Sequence, residues 1–145
     1  MRFLEKKQMF KSYEELKYWL EQRDFQKNIN NFAKKYKNKK VILYGAGILA
    51  KVVLDNYDLS KLNIIAVADA KFTGDEEFYG FKASSPDKIS ELKPDLILIN
   101  AYNPALIVEY LDKNFAELKK IPKFSIVKST IKDKIKAIKE VLGIY

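Results

Sequence analysis

The spacing of apolar positions along the chain changes character at residue 40. Before it, apolar side chains recur every three or four residues: Tyr13, Leu16, Tyr18, Trp19 and Leu20, then Phe25, Ile29, Phe32, Ala33 and Tyr36. That period is helical, because residues three and four apart share one face of an α-helix. Ser12 followed by Glu15 marks a helix start, each side chain being placed to satisfy an orphan amide of the other. The first forty residues are therefore read as helical, and residues 1–38 as an extension whose apolar face needs cover. Either the sheet that follows supplies it, or a second copy of the chain does.

From Lys40 onward, short continuous apolar runs alternate with helical stretches. Val41-Ile42-Leu43-Tyr44, Asn63-Ile64-Ile65-Ala66-Val67-Ala68 and Asp95-Leu96-Ile97-Leu98-Ile99 read as strands buried on both faces, and Lys123-Phe124-Ser125-Ile126-Val127 as a last strand. Gly80-Phe81-Lys82-Ala83 reads as a short edge strand, after a polar loop over 71–79. Helices are expected at about 48–56, from Ser85-Pro86-Asp87 to Pro94, from Ala105 to about Leu118, and at about 130–142. In the second of these, serine caps the start and proline occupies the first helical position. Strands alternating with helices require crossovers between parallel neighbours, and right-handed crossovers put helices on both faces of the sheet. The predicted fold is a doubly wound parallel α/β sheet of about five strands over residues 39–145, whose ligand site lies where the strand order reverses.

The site follows from what the first strand runs into. Gly45-Ala46-Gly47-Ile48-Leu49-Ala50 lies between a predicted strand and a predicted helix. Gly45 permits a tight turn off the strand, Gly47 leaves room for a phosphate against the backbone, and Ala50 is small enough for close helix–strand packing. The helix start behind the turn presents unpaired amides and a partial positive charge. Asp69 ends the second strand about twenty residues beyond Gly47, where a Rossmann-like fold places the acid that accepts from ribose hydroxyls. The candidate nucleotide-binding residues are Gly45, Ala46, Gly47, Ile48, Leu49, Asp69, Ala70, Asn100, Tyr102 and Asn103. The last three follow the strand ending at Ile99, as base or sugar contacts or as an Asx turn before Pro104. Asp69 would repel the 2′-phosphate of NADP, with Lys71 offsetting this only slightly.

Composition removes whole classes of chemistry. There is no cysteine and no histidine among the 145 residues. Disulfides, thiolate or imidazole zinc sites, cysteine nucleophiles and Ser-His-Asp hydrolysis are all excluded. The Tyr13/Lys17 and Tyr36/Lys40 pairs have the spacing of a short-chain dehydrogenase dyad, but they precede the glycine turn and read as surface helix pairs. Asp75, Glu76 and Glu77 read as solvated charge in a polar loop, and no catalytic or metal-ligating cluster stands out. The net charge of +8 comes almost entirely from lysines interleaved with acids. The one dense run, Lys34, Lys35, Lys37, Lys39 and Lys40, reads as a solvated helix end rather than a nucleic-acid surface, which would recruit arginine. No run approaches the ~20 apolar residues of a membrane span. The opening Met1–Lys7 lacks the apolar segment of a signal peptide, so the expected setting is the cytoplasm, without membrane or nucleic-acid partners.

Residues 41–53, Val-Ile-Leu-Tyr-Gly-Ala-Gly-Ile-Leu-Ala-Lys-Val-Val, resemble the N-terminal Rossmann-like domain of bacterial sialic-acid and bacillosamine O/N-acetyltransferases. The resemblance continues through Val67-Ala68-Asp69, Gly80-Phe81-Lys82-Ala83 and Ser85-Pro86, over about residues 40 to 127; similar domains begin nucleotide-sugar dehydratases of polysaccharide synthesis. It implies binding of the uridine nucleotide of a UDP-sugar by the glycine turn and Asp69. The chain departs from that family in carrying Leu49 where histidine is frequent and in lacking a further glycine after Gly47. The hexapeptide-repeat β-helix that transfers acetyl groups is missing from the sequence, and so the activity is not carried over. The helical extension at residues 1–38 is also foreign to that family. Three readings result. The first is a non-catalytic nucleotide or UDP-sugar binding module of bacterial surface-glycan synthesis, acting beside a partner transferase chain or as a homodimer through the N-terminal helices. The second is an NAD-binding domain, a redox sensor or a fragment of an oxidoreductase. The third is a ligand-free scaffold working as an interaction domain.

Overall fold

The computed structural model describes residues 12–128, 139 and 141–143. The helix expected at about 130–142 lies almost wholly outside the described residues, as do residues 1–11.

Helix α1 (Tyr13–Glu21) begins at Ser12, whose hydroxyl oxygen accepts from the Glu15 amide at 3.1 Å. Its chain direction breaks at Asp24, which adopts a left-handed conformation ahead of α2 (Phe25–Lys35). Leu16 and Leu20 of α1 and Phe25, Ile29 and Ala33 of α2 are buried in one cluster with sheet residues Val41, Leu43, Val67 and Leu98. The apolar stripes of both helices are thus taken up by the chain's own core. Tyr18 is a correction to the expected stripe: it is 61% exposed, because it lies two residues from Leu16 and Leu20 and so on another side of the helix. Tyr13 likewise pairs with Asp55, at 2.8 Å from its hydroxyl, and not with Lys17. Lys34 and Lys35 sit in the last turn of α2, where cations complement the helix dipole, and the whole lysine run is exposed.

The remaining chain is a mixed α/β arrangement around a six-stranded, mostly parallel sheet. Strands β1 (Lys40–Tyr44), β2 (Asn63–Ala68), β3 (Glu77–Phe78), β4 (Phe81–Ser84), β5 (Leu96–Ile99) and β6 (Lys123–Ser125) lie in the order β3-β4-β2-β1-β5-β6. All neighbouring pairs are parallel except β3 with β4. Alternate residues of the central strands serve opposite faces. Val41 and Leu43 meet α1, α2 and α3 (Ile48–Asn56), while Ile42 and Tyr44 meet Ile89, Leu111 and Leu118 on the other side. Those three come from a 3₁₀ helix over Pro86–Leu92, from α4 (Pro104–Asn114) and from a second 3₁₀ helix over Ala116–Lys120.

Further expectations about the elements change, the last strand among them, which ends at Ser125 and not Val127. The loop predicted over 71–79 contains β3, paired to β4 through a two-residue hairpin at Tyr79 and Gly80, both with positive φ as such a turn demands. Gly80–Ala83 is accordingly not an edge: β4 is flanked by β2 and β3. The stretch after Ser85 is a 3₁₀ helix, and the Ser85 side chain makes no capping bond to it. The helix expected to run to Leu118 stops at Asn114, and its continuation is 3₁₀, whose carbonyls at Leu118 and Ile121 receive the buried ammonium of Lys123 alongside Asp112.

Asp55 ties three elements together, accepting from Tyr13 of α1 and, at 2.7 Å, from Tyr79 of the hairpin. Glu76 is more than solvated charge. Its Oε1 collects the amides of Thr73, Gly74 and Asp75 and the Thr73 hydroxyl at 2.8 to 3.1 Å. These donors, the Thr73 amide foremost, hold its carboxyl down at about 2. Among the described residues no helix is long and apolar enough to cross a membrane.

Leu20→Ala is expected to cost about 2–5 kcal/mol in urea unfolding, the range for a fully buried leucine. A depressed carboxyl contributes stability above its unfolded value that is lost as pH falls toward the folded one. Glu76→Gln should therefore flatten the decline in stability between pH 4.5 and about 2, read by comparing unfolding midpoints of the two chains across that interval.

Candidate functional site

The strand order reverses beside β1: the chain builds β2 and β4 on one side and then crosses to β5 and β6 on the other. Adjacent crossovers leave in opposite directions there, so a crevice opens outside the strand carboxyl ends. A cleft of about 450 Å³ occupies that position, lined by Leu16, Tyr44, Gly45, Gly47, Ile48, Leu49, Asp69, Ala70, Asn100, Ala101, Tyr102, Ile107 and Tyr110. Its volume is in the range of small-molecule sites, and its walls are mostly apolar and aromatic, as such sites are.

The strand ends are drawn together by backbone bonds. Gly45 N donates to Ala68 O at 2.8 Å, and Asn100 N donates to Tyr44 O at 2.7 Å. This brings the Asn100 carbonyl so close to Gly45 that a Cβ there would stand 2.3 Å from the oxygen, and φ at Gly45 is +124°. Glycine is required on both counts. Gly47 is different. Its φ is −91°, and a Cβ would meet nothing within 4 Å, so the space in front of it is open. As the N-cap of α3 it supplies no side-chain cap, leaving the first-turn amides of that helix to solvent or to a ligand.

Between the two glycines the backbone of Ala46 is clamped on both sides. Asp69 Oδ2 accepts from Ala46 N at 2.8 Å, and Lys71 Nζ donates to Ala46 O at 2.6 Å. The other Asp69 oxygen accepts from Lys71 N at 3.0 Å. The carboxylate at the end of β2 does face the glycine turn, and part of its accepting capacity holds that turn in shape. Lys71 reaches back across Phe72 and Phe78, its ammonium within 5.9 Å of both ring centres.

Eight of the ten residues singled out in the sequence line the cleft: Gly45, Gly47, Ile48, Leu49, Asp69, Ala70, Asn100 and Tyr102. Two do not. Ala46 is fully buried, its methyl turned into the core, and it serves the site only through its clamped backbone. Asn103 is exposed at the N-cap of α4 and makes no capping bond with its side chain. Residues the motif reading missed are Leu16, Tyr44, Ala101, Ile107 and Tyr110. Tyr44 carried a signal, as the last residue of the strand that feeds the turn. Leu16 carried none, since it arrives from a helix closed against the sheet.

Asn100 is the unusual member. It is 2% exposed, and neither its Oδ1 nor its Nδ2 has a hydrogen-bond partner among the described residues. A buried amide left unpaired costs about 1–3 kcal/mol, and this one stands at the wall of the cleft. Tyr44 stands beside it in sequence register on β1, opposite Ile99. Burial first, and then the Asp69 carboxylate, push its phenol well above the ordinary tyrosine value, against a backbone hydrogen bond at Ala70. The phenol therefore stays protonated and uncharged across the physiological range. Among the residues that line the cleft there is no cysteine, histidine or serine.

Gly45→Ala is expected to destabilise the fold by several kcal/mol, about the 1–3 kcal/mol of a strained backbone plus the displacement of Asn100. Gly47→Ala, with a permitted φ and open space, should change the unfolding midpoint little; circular dichroism melts of both variants check the contrast.

No curated protein and no solved structure matches the chain. A family match covers residues 37–121, from just before β1 to the end of the second 3₁₀ helix and thus more than half of the chain, and on that basis the chain belongs to the C2185-like, N-terminal family.

Proposed function

We propose that this chain is a nucleotide- or nucleotide-sugar-binding module built on a Rossmann-like, doubly wound α/β domain, and that it serves bacterial surface-glycan synthesis without catalysing a reaction alone. The observation that carries the reading is the buried amide of Asn100, without a partner among the described residues, at the wall of the cleft of about 450 Å³ where the strand order reverses. A base or sugar that both donates and accepts would complete that amide. Two further features fit the same ligand. The open space at Gly47 and the uncapped start of α3 suit a phosphate, because amides and the helix dipole converge there. The aromatic walls at Tyr44, Tyr102 and Tyr110 suit a flat base. The choice of a UDP-sugar over other nucleotides rests on the resemblance of residues 41–53 and 67–69 to the acetyltransferase-associated domain.

Thermal-shift measurements with UMP, UDP, UDP-N-acetylglucosamine, NAD and CoA test this. A ligand at a hundredfold excess over its Kd stabilises the fold by about 2.7 kcal/mol. The uridine compounds are expected to raise the melting temperature and CoA is not; a shift with NAD alone favours an NAD-binding domain. Asn100→Leu should leave the ligand-free protein no less stable, since it removes an unpaired buried amide at similar volume, while abolishing the ligand-induced shift. Gly47→Val should also abolish it, and Asp69→Ala should weaken it. A chain that melts at the same temperature with every compound would refute the proposal.

A further inference from the structure

Beside the cleft lies a second, smaller cavity of about 230 Å³, lined by Glu15, Leu16, Tyr18, Trp19 and Gln22 of α1 and by Tyr102 of the loop after β5. Leu16 and Tyr102 line both cavities, so the two adjoin across a single layer of side chains. We infer that this cavity is a subsite for the polyhydroxylated ring carried by the nucleotide, a glycosyl group. The inference rests on the nucleotide-binding reading above and assigns the role to a helix that precedes the family-matched region.

The face of α1 explains the assignment. Leu16 and Leu20 turn into the core, whereas Glu15, Tyr18, Trp19 and Gln22 follow the three-and-four spacing of one shared stripe on another side. Of that stripe only Trp19 packs against the core, from its edge and half-buried, and yet the stripe carries two large aromatic rings. Tyr18 is exposed to water. Trp19 is held in place from two directions: the Arg23 guanidinium lies 4.6 Å from its ring centre while donating to its carbonyl at 3.1 Å, and Tyr102 meets it with ring centres 5.0 Å apart. A ring fixed before the ligand arrives loses little freedom on binding.

A pyranose presents C–H faces that pack on aromatic rings and hydroxyls around its rim that both donate and accept. Tyr18, Trp19 and Tyr102 offer the first kind of partner. The Glu15 carboxylate accepts, and the Gln22 amide does both. The same carboxylate repels phosphate. Anionic groups are therefore favoured at Gly47 and the start of α3, and a neutral polar ring is favoured under α1. This fixes which way round a nucleotide-sugar lies.

Calorimetric titration of the full chain and of its Tyr18→Ala and Gln22→Ala variants with UDP and with UDP-N-acetylglucosamine tests the inference. Both positions are exposed, and thermal melts should confirm that the variants fold as the parent does. Each variant is expected to weaken UDP-N-acetylglucosamine by about five- to tenfold, the loss of one aromatic or hydrogen-bonding contact, while UDP affinity stays within about twofold. UDP binding with equal loss, or no loss, for both ligands overturns the subsite and leaves the nucleotide reading standing. No binding of UDP to the parent chain overturns both.

Discussion

The approach of two chain segments at the mouth of the sheet sets the geometry of everything around it. The carbonyl of Asn100 lies where a side chain at Gly45 would have to be, because β1 and β5 are neighbours and their ends are joined by the bond from Asn100 N to Tyr44 O. With that contact made, the chain leaving β1 must turn sharply at Gly45, α3 must start at Gly47, and the loop after β5 must pass directly over the turn. The crevice between them is the space these constraints leave. Asn100 is drawn into the wall by the same contact, and its side-chain amide is left without a partner among the described residues.

The turn is also stiffened from the β2 side. Asp69 and Lys71 hold the N–H and the carbonyl of Ala46, and so one group from each of the two peptides that link it to the glycines. Charge-assisted bonds of this kind are stronger than neutral ones, and they fix the direction in which the following amides point. Recognition sites need such preorganisation, since a loop that must order itself around a ligand gives up part of the binding energy. Asp69 thus shapes the turn through the Ala46 and Lys71 amides that it accepts from. The N-terminal helices close the other flank: Leu16 reaches the cleft because its neighbour Leu20 and the stripe of α2 are anchored in the core beneath.

Several elements were legible from residue order because their signals are local. The buried strands declared themselves as unbroken apolar runs at 41–44, 64–68 and 96–99, and α1 by Ser12 and the spacing of Leu16 and Leu20. The glycine turn was legible because only glycine tolerates what happens at residue 45. Weaker local signals misled. The β3–β4 hairpin escaped notice because Tyr79, a bulky residue, takes a positive φ that the sequence gives no reason to expect. The 3₁₀ helices at 86–92 and 116–120 share the composition of α-helices and differ only in how tightly they wind against the sheet.

By itself the sequence determined the alternation of strands and helices, the place of the turn, the acid that would face it, and the absence of thiol and imidazole chemistry. Each of these depends on residue type or on spacing within one element. Only the tertiary structure decided which cleft residues meet: that Ala46 turns inward, that Asn103 stays outside, that Asn100 is buried with no partner among the described residues, and that α1 brings Leu16 and an aromatic stripe to the rim. Those outcomes depend on contacts between segments distant in sequence, whose geometry is set by the packing of the whole sheet and leaves no periodic trace along the chain.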